Sequence, residues 1–260
     1  MSPLSDSVVA ALRSAGCVFA EDEAELILST ARTPDEVTTM VDRRVSGLPL
    51  EHVLGWAGFH GLRILVEPGV FVPRRRTEFL VDQAVARARG ASLIVDLCCG
   101  SGAVGAALAA ALGGPELHAA DIDSAAVRCA RRNVAPFGGH VHQGDLFEAL
   151  PDTLRGRVDV LTANVPYVPT REVGLLPPEA RDHEPLVALD GGADGLDVLR
   201  RVTAEAPRWL APGGCLLVET SERQAPTAVE AFAHGGLTAT LAVSDELYAN
   251  VVIGTRSRAA

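Results

Sequence analysis

A glycine-rich loop that follows an acidic residue is the first feature with a chemical use. Gly100, Gly102 and Gly105 follow Asp96, which lies in a short apolar run. Glycines let the backbone approach a ligand at a strand end, and the helix that follows offers free N–H groups. Many nucleotide-binding folds share such a loop, but no Lys-Ser or Lys-Thr pair follows, so it is not a P-loop. Because the Asp96 carboxylate can pair with an ammonium group and would repel a pyrophosphate, the loop favours S-adenosylmethionine over a dinucleotide.

Acidic residues also end the next two predicted strands. Asp121 can accept hydrogen bonds from both ribose hydroxyls, and Ile122 beside it is assigned to the same cofactor site. Asp123 is interpreted instead as the cap of the following helix. Asp145 can accept from an adenine amino group while the adjacent apolar Leu146 flanks the ring. A solvated turn carboxylate is the alternative interpretation of Asp145.

The turn Asn164-Val165-Pro166-Tyr167 could hold a methyl acceptor. A planar nitrogen is a poor nucleophile because its lone pair is delocalised, and two acceptors on its N–H groups would orient that lone pair. The Asn164 side-chain oxygen and a backbone carbonyl of the Val165–Pro166 segment are the candidates. Pro166 stiffens the turn and Tyr167 can stack on the planar group. Such chemistry requires neither a metal nor a strong base. The alternative interpretation of the turn is an ordinary loop without a role in the reaction.

The elements that precede these residues form two segments. Helices are predicted at 5–14, at 21–31 and from Pro34 to about Val45, with Thr33 as an N-cap. Short β-favouring runs broken by Gly and Pro predict a hairpin over 52–72. We therefore expect a helical substrate-recognition lobe, a β-hairpin linker and an S-adenosylmethionine-dependent methyltransferase domain, at residues 1–48, 49–76 and 77–260.

From residue 77 onwards, predicted helices and strands alternate. The continuous apolar run at 93–97 is typical of a strand buried on both faces. Alternation predicts an α/β doubly wound parallel sheet. The terminal antiparallel hairpin is what the class I methyltransferase (Rossmann-like) fold adds to such a sheet. The predicted helices are 77–88, 104–112 and 125–133, and the predicted strands are 93–97, 117–121, 140–145, 158–164, 215–220, 237–244 and 249–256.

Composition limits the class of protein. The chain has 260 residues, of which 48% are hydrophobic, and a formal net charge of −10. An acidic protein gains no general attraction to phosphate backbones, so bulk nucleic-acid binding is not expected. We see no export signal and no apolar stretch long enough to cross a bilayer, which predicts a cytoplasmic protein.

The cysteine content also predicts a cytoplasmic protein. The five cysteines are an odd number in no zinc-binding pattern, which predicts reduced thiols and no metal site. Cys98 and Cys99 lie in the glycine-rich loop. We expect Cys98 to contact the cofactor there, whereas a nucleophilic role is disfavoured because no histidine lies nearby in the sequence.

The order of these motifs resembles that of the HemK-type protein glutamine methyltransferases, which modify the glutamine of the Gly-Gly-Gln loop in class I peptide chain release factors. The resemblance covers nearly the whole chain. It implies that Asn164, Pro166 and Tyr167 hold the substrate amide, and that the cofactor is held by Asp96, Gly100, Gly102, Asp121 and Asp145. The further matching motifs are Gly47-x-Pro49-x-x-His52-x-x-Gly55, Phe59, Val72-Pro73-Arg74-x-x-Thr77-Glu78, Glu184-Pro185-x-x-Ala188-Leu189, Gly192, Glu219 and Gln224.

The chain departs from the family pattern at two places. Val165 stands where the family usually has a proline, which keeps the carbonyl but gives a less rigid turn. Arg75 and Arg76 stand where the family usually has a proline and an acid, and we interpret both as a solvated face. Glu184 is assigned to the substrate site, with a purely structural role as an equal alternative.

Three rival functions remain at this stage. A nucleic-acid amino-methyltransferase would use the same clamp on a planar nitrogen, but it would need a basic groove. A methyltransferase of small-molecule amides or amines is compatible with the altered turn. A degenerate cofactor-binding module without catalysis is disfavoured because Asp96, Asn164 and Tyr167 are intact.

Overall fold

The N-terminal part of the chain is a small helical lobe, as predicted. In the computed structural model, which describes residues 3–88 and 90–258, this lobe contains α1 (Pro3–Ser14), α2 (Ala20–Thr30) and α3 (Pro34–Val45). The Thr33 hydroxyl accepts the backbone N–H of Glu36 at 3.2 Å, which confirms the predicted N-cap of α3. The lobe encloses its own apolar cluster, which includes Val8, Val9, Leu12, Ala20, Ala24, Ile27, Val37 and Leu54. Residues 1–2 and 259–260, at the outer ends of the first and third expected segments, lie outside the described residues.

The segment that follows is only partly a hairpin. Leu50–Leu54 forms a short helix, α4, and the hairpin is confined to β1 (Trp56–Phe59) and β2 (Leu62–Leu65). Gly55 ends α4 with a φ of 78°, which a residue with a Cβ adopts only with strain. The prediction of a hairpin over 52–72 was therefore too long at both ends. In the sequence, a glycine that ends a helix, such as Gly55, looks the same as a glycine that interrupts a strand. His52 is buried in α4, where its Nε2 lies 2.9 Å from the Val70 carbonyl oxygen.

A seven-stranded sheet forms the rest of the core and confirms the predicted fold class. Its order is β5-β4-β3-β6-β7-β9-β8, with parallel neighbours up to β7 and with β9 antiparallel to both β7 and β8. Buried apolar side chains cover both faces of the sheet, as expected for parallel strands. The strands are β3 (Leu93–Leu97), β4 (Glu116–Asp121), β5 (His140–Gln143), β6 (Val158–Ala163), β7 (Leu210–Thr220), β8 (Thr238–Ser244) and β9 (Ala249–Thr255).

Six further helices pack around the sheet. Three of them were not assigned from the sequence: α8, α9 and α10. Trp209 at the end of α9 is fully buried and stacks on Phe147 at a centroid distance of 5.4 Å, which confirms its expected packing role. No helix within the described ranges is long and apolar enough to cross a membrane. The six are α5 (Glu78–Arg87), α6 (Ala103–Leu112), α7 (Ser124–Val134), α8 (Pro178–His183), α9 (Asp197–Trp209) and α10 (Ala225–His234).

The order of the strands determines where a ligand can bind. The chain leaves β3 towards β4 on one side of the sheet and returns to β6 on the other, so a switch point lies between β3 and β6. Ligands of open α/β sheets bind at the carboxyl ends of strands beside such a point. Strands β5 and β6 end before Asp145 and Asn164, which leaves both residues in the loops that follow their strands.

A histidine cluster on β4 and β5 is expected to make folding stability sensitive to pH. His118 Nδ1 lies 2.9 Å from His142 Nε2, and His140 lies beside His118. Burial lowers the pKa of His142, and electrostatic interactions with His118, His140 and Arg131 act in the same direction. Because the unfolded chain then binds more protons, stability is lost as pH falls through the ordinary histidine pKa. Thermal unfolding between about pH 7.5 and pH 5 should show a smaller loss for His142→Gln than for the wild type.

The control for this prediction is His234→Gln, at the exposed end of α10. That variant should follow the wild type at every pH. An equal loss of stability in His142→Gln and the wild type would contradict the prediction.

Candidate active site

One cleft of about 1120 Å³ opens at the carboxyl ends of β3, β4 and β6. The loop around Gly100 and the turn from Asn164 to Tyr167 both line it, so the predicted cofactor loop and the predicted acceptor turn share one cavity. Twelve of the thirteen predicted site residues line this cleft, namely Asp96, Cys98, Gly100, Asp121, Ile122, Asp145, Leu146, Asn164, Val165, Pro166, Tyr167 and Glu184.

Gly102 is the predicted residue that does not line the cleft. It precedes α6 with a φ of 80°, and an added Cβ would lie 3.1 Å from the Ala130 Cβ of α7. Both observations require a glycine for the close packing of α6 against α7. The predicted contact of Gly102 with the cofactor stays a prediction.

Asp96 lies at the floor of the cleft and is almost fully buried. Its Oδ2 accepts the backbone N–H of Gly105 at 2.9 Å, and its Oδ1 accepts the Thr162 hydroxyl at 2.9 Å. Burial raises the pKa of Asp96 to about 7, although these two hydrogen bonds favour the charged form. The carboxylate thus holds the start of α6 against β6 and also places a titratable negative charge below the glycine loop.

Asp121 and Asp123 lie close together after β4 and bind different backbone N–H groups. Asp121 accepts the N–H of Gly100 at 2.8 Å through Oδ2 and that of Asp123 at 2.9 Å through Oδ1. Each carboxylate oxygen has a second lone pair that remains available on the cleft side. Asp123 accepts the N–H of Ala125 at 2.8 Å, which confirms it as the N-cap of α7. Ile122, between them, is 51% exposed and offers an apolar surface at the mouth of the cleft.

Asp145 is not a free carboxylate. Its Oδ2 accepts the Arg201 guanidinium of α9 at 2.7 Å, a contact that the sequence analysis did not foresee. The pair is partly exposed, so Asp145 keeps acceptor capacity towards the cleft. Leu146 follows with a φ of 49° and packs against the main core, which directs it into the cavity wall.

Cys98 occupies a backbone conformation that favours glycine, with a φ of 52°. Its side chain lines the cleft, and burial together with the nearby carboxylates of Asp121 and Asp96 raises the pKa of its thiol. A thiol in this environment stays protonated, which agrees with the expectation that Cys98 is not a nucleophile.

These groups fit a compact cation with an attached apolar ring. The carboxylates of Asp96, Asp121 and Asp145 attract an ammonium or sulfonium group and oppose a pyrophosphate. Ile122 and Leu146 supply apolar lining of the cleft. The set therefore matches S-adenosylmethionine better than a dinucleotide.

The Asn164–Tyr167 turn follows β6 and also lines the cleft. Within the described chain, no hydrogen bond engages the Asn164 side chain or the carbonyl oxygens of Val165 and Pro166. Val165 is 2% exposed and packs into the main core, so its side chain points away from the cleft. The acceptor groups required by the sequence analysis are thus present and unused.

A glycine-containing loop at residues 189–195 packs against this turn. The N–H of Val168 donates to the Leu189 carbonyl at 3.0 Å, and the N–H of Gly191 donates to the Val168 carbonyl at 2.8 Å. A Cβ on Gly191 would lie only 2.5 Å from the carbonyl oxygen of Pro166. The turn and the loop are therefore packed too closely for any side chain at position 191.

Gly191→Ala is expected to lower turnover about a hundredfold with little change in cofactor affinity, because a shift of about 1 Å in a reacting group can cost that much. The methyl group must displace the Pro166 carbonyl, whereas the cofactor loop lies on other strands. Steady-state kinetics and calorimetric cofactor binding would measure the two effects. Gly58→Ala is the matched control, because a Cβ there meets nothing within 4 Å. Equal activity of both variants would refute this expectation.

Tyr167 is held by residues far away in the chain. Its hydroxyl accepts a hydrogen bond from the Arg76 guanidinium, and its carbonyl oxygen accepts the Gln224 side-chain amide at 2.9 Å. Arg76 Nε also donates to Glu219 Oε1 at 2.9 Å, and Thr77 Oγ1 donates to Glu219 Oε2 at 2.6 Å. The interpretation of Arg76 as a solvated residue agrees with its side chain being 44% exposed, but it missed these hydrogen bonds. Arg76 reaches a buried carboxylate that its sequence neighbourhood does not reveal.

Glu184 also has a defined structural role. It is buried, its Oε1 accepts the N–H of Val72 at 3.1 Å, and its Oε2 accepts Arg74 at 2.6 Å. Burial raises the pKa of Glu184, and the guanidinium of Arg74 opposes this shift. Glu184, which follows α8, thus binds the extended segment at Val72 and Arg74 that precedes α5. It also lines the cleft. Arg75 is exposed, as predicted for a solvated residue.

Known proteins are similar to this chain in sequence and in fold. A family model described as "Methyltransferase small domain" matches residues 61–175. The release factor glutamine methyltransferase of Geobacter sulfurreducens is 37% identical over 86% of this chain and 79% of its own length. That of Streptomyces coelicolor is 42% identical over 71% of this chain and 67% of its own length. A 4-amino-L-phenylalanine/4-methylamino-L-phenylalanine methyltransferase of Streptomyces pristinaespiralis is 37% identical over 82% of this chain and 74% of its own length.

Solved structures show the same fold. A methyltransferase from Pyrococcus furiosus aligns with a TM-score of 0.58 at 17% identity, covering 76% of this chain and 90% of that protein. The 16S rRNA N2 G1207 methyltransferase of T. thermophilus, solved with S-adenosylmethionine and guanosine, aligns with a TM-score of 0.55 at 20% identity over 77% of this chain and 49% of its own. The sequence identities and the fold agree, and the chain belongs to the family of the release factor glutamine methyltransferases, the HemK-type enzymes, and is an S-adenosylmethionine-dependent methyltransferase.

Proposed function

We propose that this enzyme methylates the side-chain amide nitrogen of a protein glutamine, and that the substrate is the Gly-Gly-Gln glutamine of a peptide chain release factor. The observation that carries the proposal is the Asn164–Tyr167 turn, whose acceptor oxygens are free and line the same cleft as the cofactor loop. The curated relatives named as release factor glutamine methyltransferases support this choice of substrate. Such a substrate would place the enzyme in the cytoplasm.

The proposed mechanism depends on orienting a weak nucleophile. When bound, S-adenosylmethionine would supply a sulfonium methyl group that is already activated for transfer: the N–CH3 bond would form as the S–CH3 bond breaks, S-adenosyl-L-homocysteine would leave with the bonding electron pair, and the methylated nitrogen would lose one proton to solvent. Asn164 Oδ1 accepts one N–H of the substrate amide and a carbonyl oxygen of the Val165–Pro166 segment accepts the other, which turns the nitrogen lone pair towards the methyl group. Tyr167 stacks on the amide plane. Orientation of this kind contributes roughly 7–11 kcal/mol in favourable systems, so no metal or strong base is needed.

The cofactor site is proposed on the opposite wall of the cleft. Asp121 would accept the ribose hydroxyls, and Asp145 would accept the adenine amino group with the lone pairs that Arg201 leaves free. Ile122 and Leu146 would flank the ring, while Gly100 and Cys98 would allow close approach of the backbone. Asp96 would provide the negative charge for the methionine ammonium. The lobe at residues 1–48 would recognise the protein substrate, with 49–76 as its link to the catalytic domain.

A direct test incubates the enzyme with radiolabelled cofactor and a purified class I release factor, followed by mass spectrometry of the peptides. We expect one methyl group on the glutamine of the Gly-Gly-Gln loop. A release factor with that glutamine replaced by alanine is the control and should stay unlabelled. Methyl transfer to other acceptors with none to this glutamine would overturn the proposed substrate.

A small aromatic amine is the second candidate acceptor. The relative from Streptomyces pristinaespiralis is named for 4-amino-L-phenylalanine and has the same degree of identity as one of the release factor enzymes. The same clamp suits an aniline nitrogen, whose lone pair is also delocalised. Turnover of free 4-amino-L-phenylalanine, measured in parallel with the release factor, decides between the two acceptors.

A further inference from the structure

Arg76 stands between the cofactor domain and the acceptor turn. It lies in a single helical turn, Arg75–Thr77, immediately before α5. Its guanidinium donates to the buried Glu219 of β7 and to the hydroxyl of Tyr167. The central guanidinium carbon lies 5.8 Å from the centre of the Tyr167 ring. The planar fork of an arginine presents donors to two such acceptors in a fixed geometry, which the single ammonium group of a lysine does not reproduce.

Tyr167 is consequently fixed at both ends. Gln224 holds its backbone carbonyl, and Arg76 holds its hydroxyl. Glu219 in turn accepts from both Arg76 and Thr77, so the guanidinium cannot swing away without leaving a buried carboxylate short of a partner. The ring therefore has one defined orientation at the wall of the cleft.

The turn has one proline fewer than the family pattern. Val165 has no ring to fix its φ, unlike the proline that the family pattern has at this position. Its side chain is buried in the main core, but no hydrogen bond within the described chain uses its N–H. The turn is left with Pro166 as its one proline, and the bond between Arg76 and Tyr167 is a restraint in addition to the bond from Gln224 to the Tyr167 carbonyl oxygen.

We propose that Arg76 is a positioning residue whose hydrogen bond to Tyr167 supplies the rigidity that Val165 does not, so that the two departures from the family pattern form a compensating pair. The inference rests on the proposed role of the turn in holding the acceptor. It predicts that loss of Arg76 disturbs Tyr167 and catalysis together, and leaves cofactor binding intact.

The first test compares Arg76→Gln with Arg75→Gln, which removes the same charge at an exposed neighbour. The chain has two tyrosines, so enzyme labelled with 3-fluorotyrosine gives two fluorine signals, and the largely exposed Tyr248 is the internal reference. In Arg76→Gln we expect the Tyr167 signal to move towards the exposed position. We also expect kcat to fall about tenfold to a hundredfold, as for other hydrogen bonds to charged groups. Arg76→Lys should rescue thermal stability but not the Tyr167 signal.

The second test is a double-mutant cycle with Val165→Pro. Val165→Pro should raise the kcat of Arg76→Gln by more than it raises that of the wild type. Strictly additive effects would overturn the compensating pair, and an unmoved Tyr167 signal in Arg76→Gln would overturn the positioning role. The fluorine spectra need no acceptor, so failure to methylate the release factor would reject the proposed substrate without deciding the role of Arg76.

Discussion

Replacement of Asn164 by alanine is expected to abolish measurable turnover while S-adenosylmethionine still binds with nearly unchanged affinity. Asn164 has no side-chain hydrogen bond within the described chain, so its removal leaves no buried partner unsatisfied. The cofactor loop lies on β3 and β4 and keeps its own hydrogen bonds. Loss of one preorganised hydrogen-bonding group in other enzymes costs about 10²- to 10³-fold in kcat.

Single-turnover methylation and calorimetric titration with the cofactor separate these effects. Asn164→Asp is the informative control, because it keeps an acceptor oxygen in place and should retain more activity than Asn164→Ala. Thermal unfolding would verify that both variants are folded. A kcat of Asn164→Ala equal to that of the wild type would remove this residue from the mechanism.

The strands could be predicted because burial on both faces leaves a simple pattern. The run 93–97 is wholly apolar apart from Asp96, and the structure buries all five residues in β3. Helix α9 carried a usable signal that was missed, since Leu199, Val202, Ala206 and Trp209 recur at helical spacing. Pro207, near the end of α9, is a residue that normally argues against a helix, so the helical pattern is harder to recognise. The six residues of α8 are too few to show a period.

The site was predictable where its residues follow strand ends, and unpredictable where they are joined across the chain. Asp96, Asp121 and Asn164 are found from their positions alone, because parallel strands end at one edge. Arg76 and Glu219 are separated by 143 residues, and Asp145 and Arg201 by 56. No local pattern encodes such pairs. A basic residue replacing the acid of a family motif was the available signal for Arg76, and the three consecutive arginines obscured it.

Binding of S-adenosylmethionine is expected to weaken as pH falls from about 8 to about 6, by up to about tenfold per pH unit below the pKa of Asp96. Burial raises that pKa to about 7 in the free enzyme. A cationic ligand in the cleft favours the charged carboxylate, so the pKa of Asp96 is lower in the complex and binding releases a proton. The affinity is therefore fully present above about pH 7 and is lost as pH falls below it.

Calorimetry in two buffers of different ionisation enthalpy would count the released proton directly. Asp96→Asn should bind the cofactor more weakly at high pH and lose most of the pH dependence. The pH dependence that remains would come from Asp121, whose pKa is also raised by burial. Asp159→Asn is the matched control, because Asp159 binds the backbone of Ser92 and Leu93 at the opposite end of β3. A pH dependence of cofactor binding that is equally steep in Asp96→Asn and in the wild type would show that Asp96 does not carry the charge that attracts the cofactor.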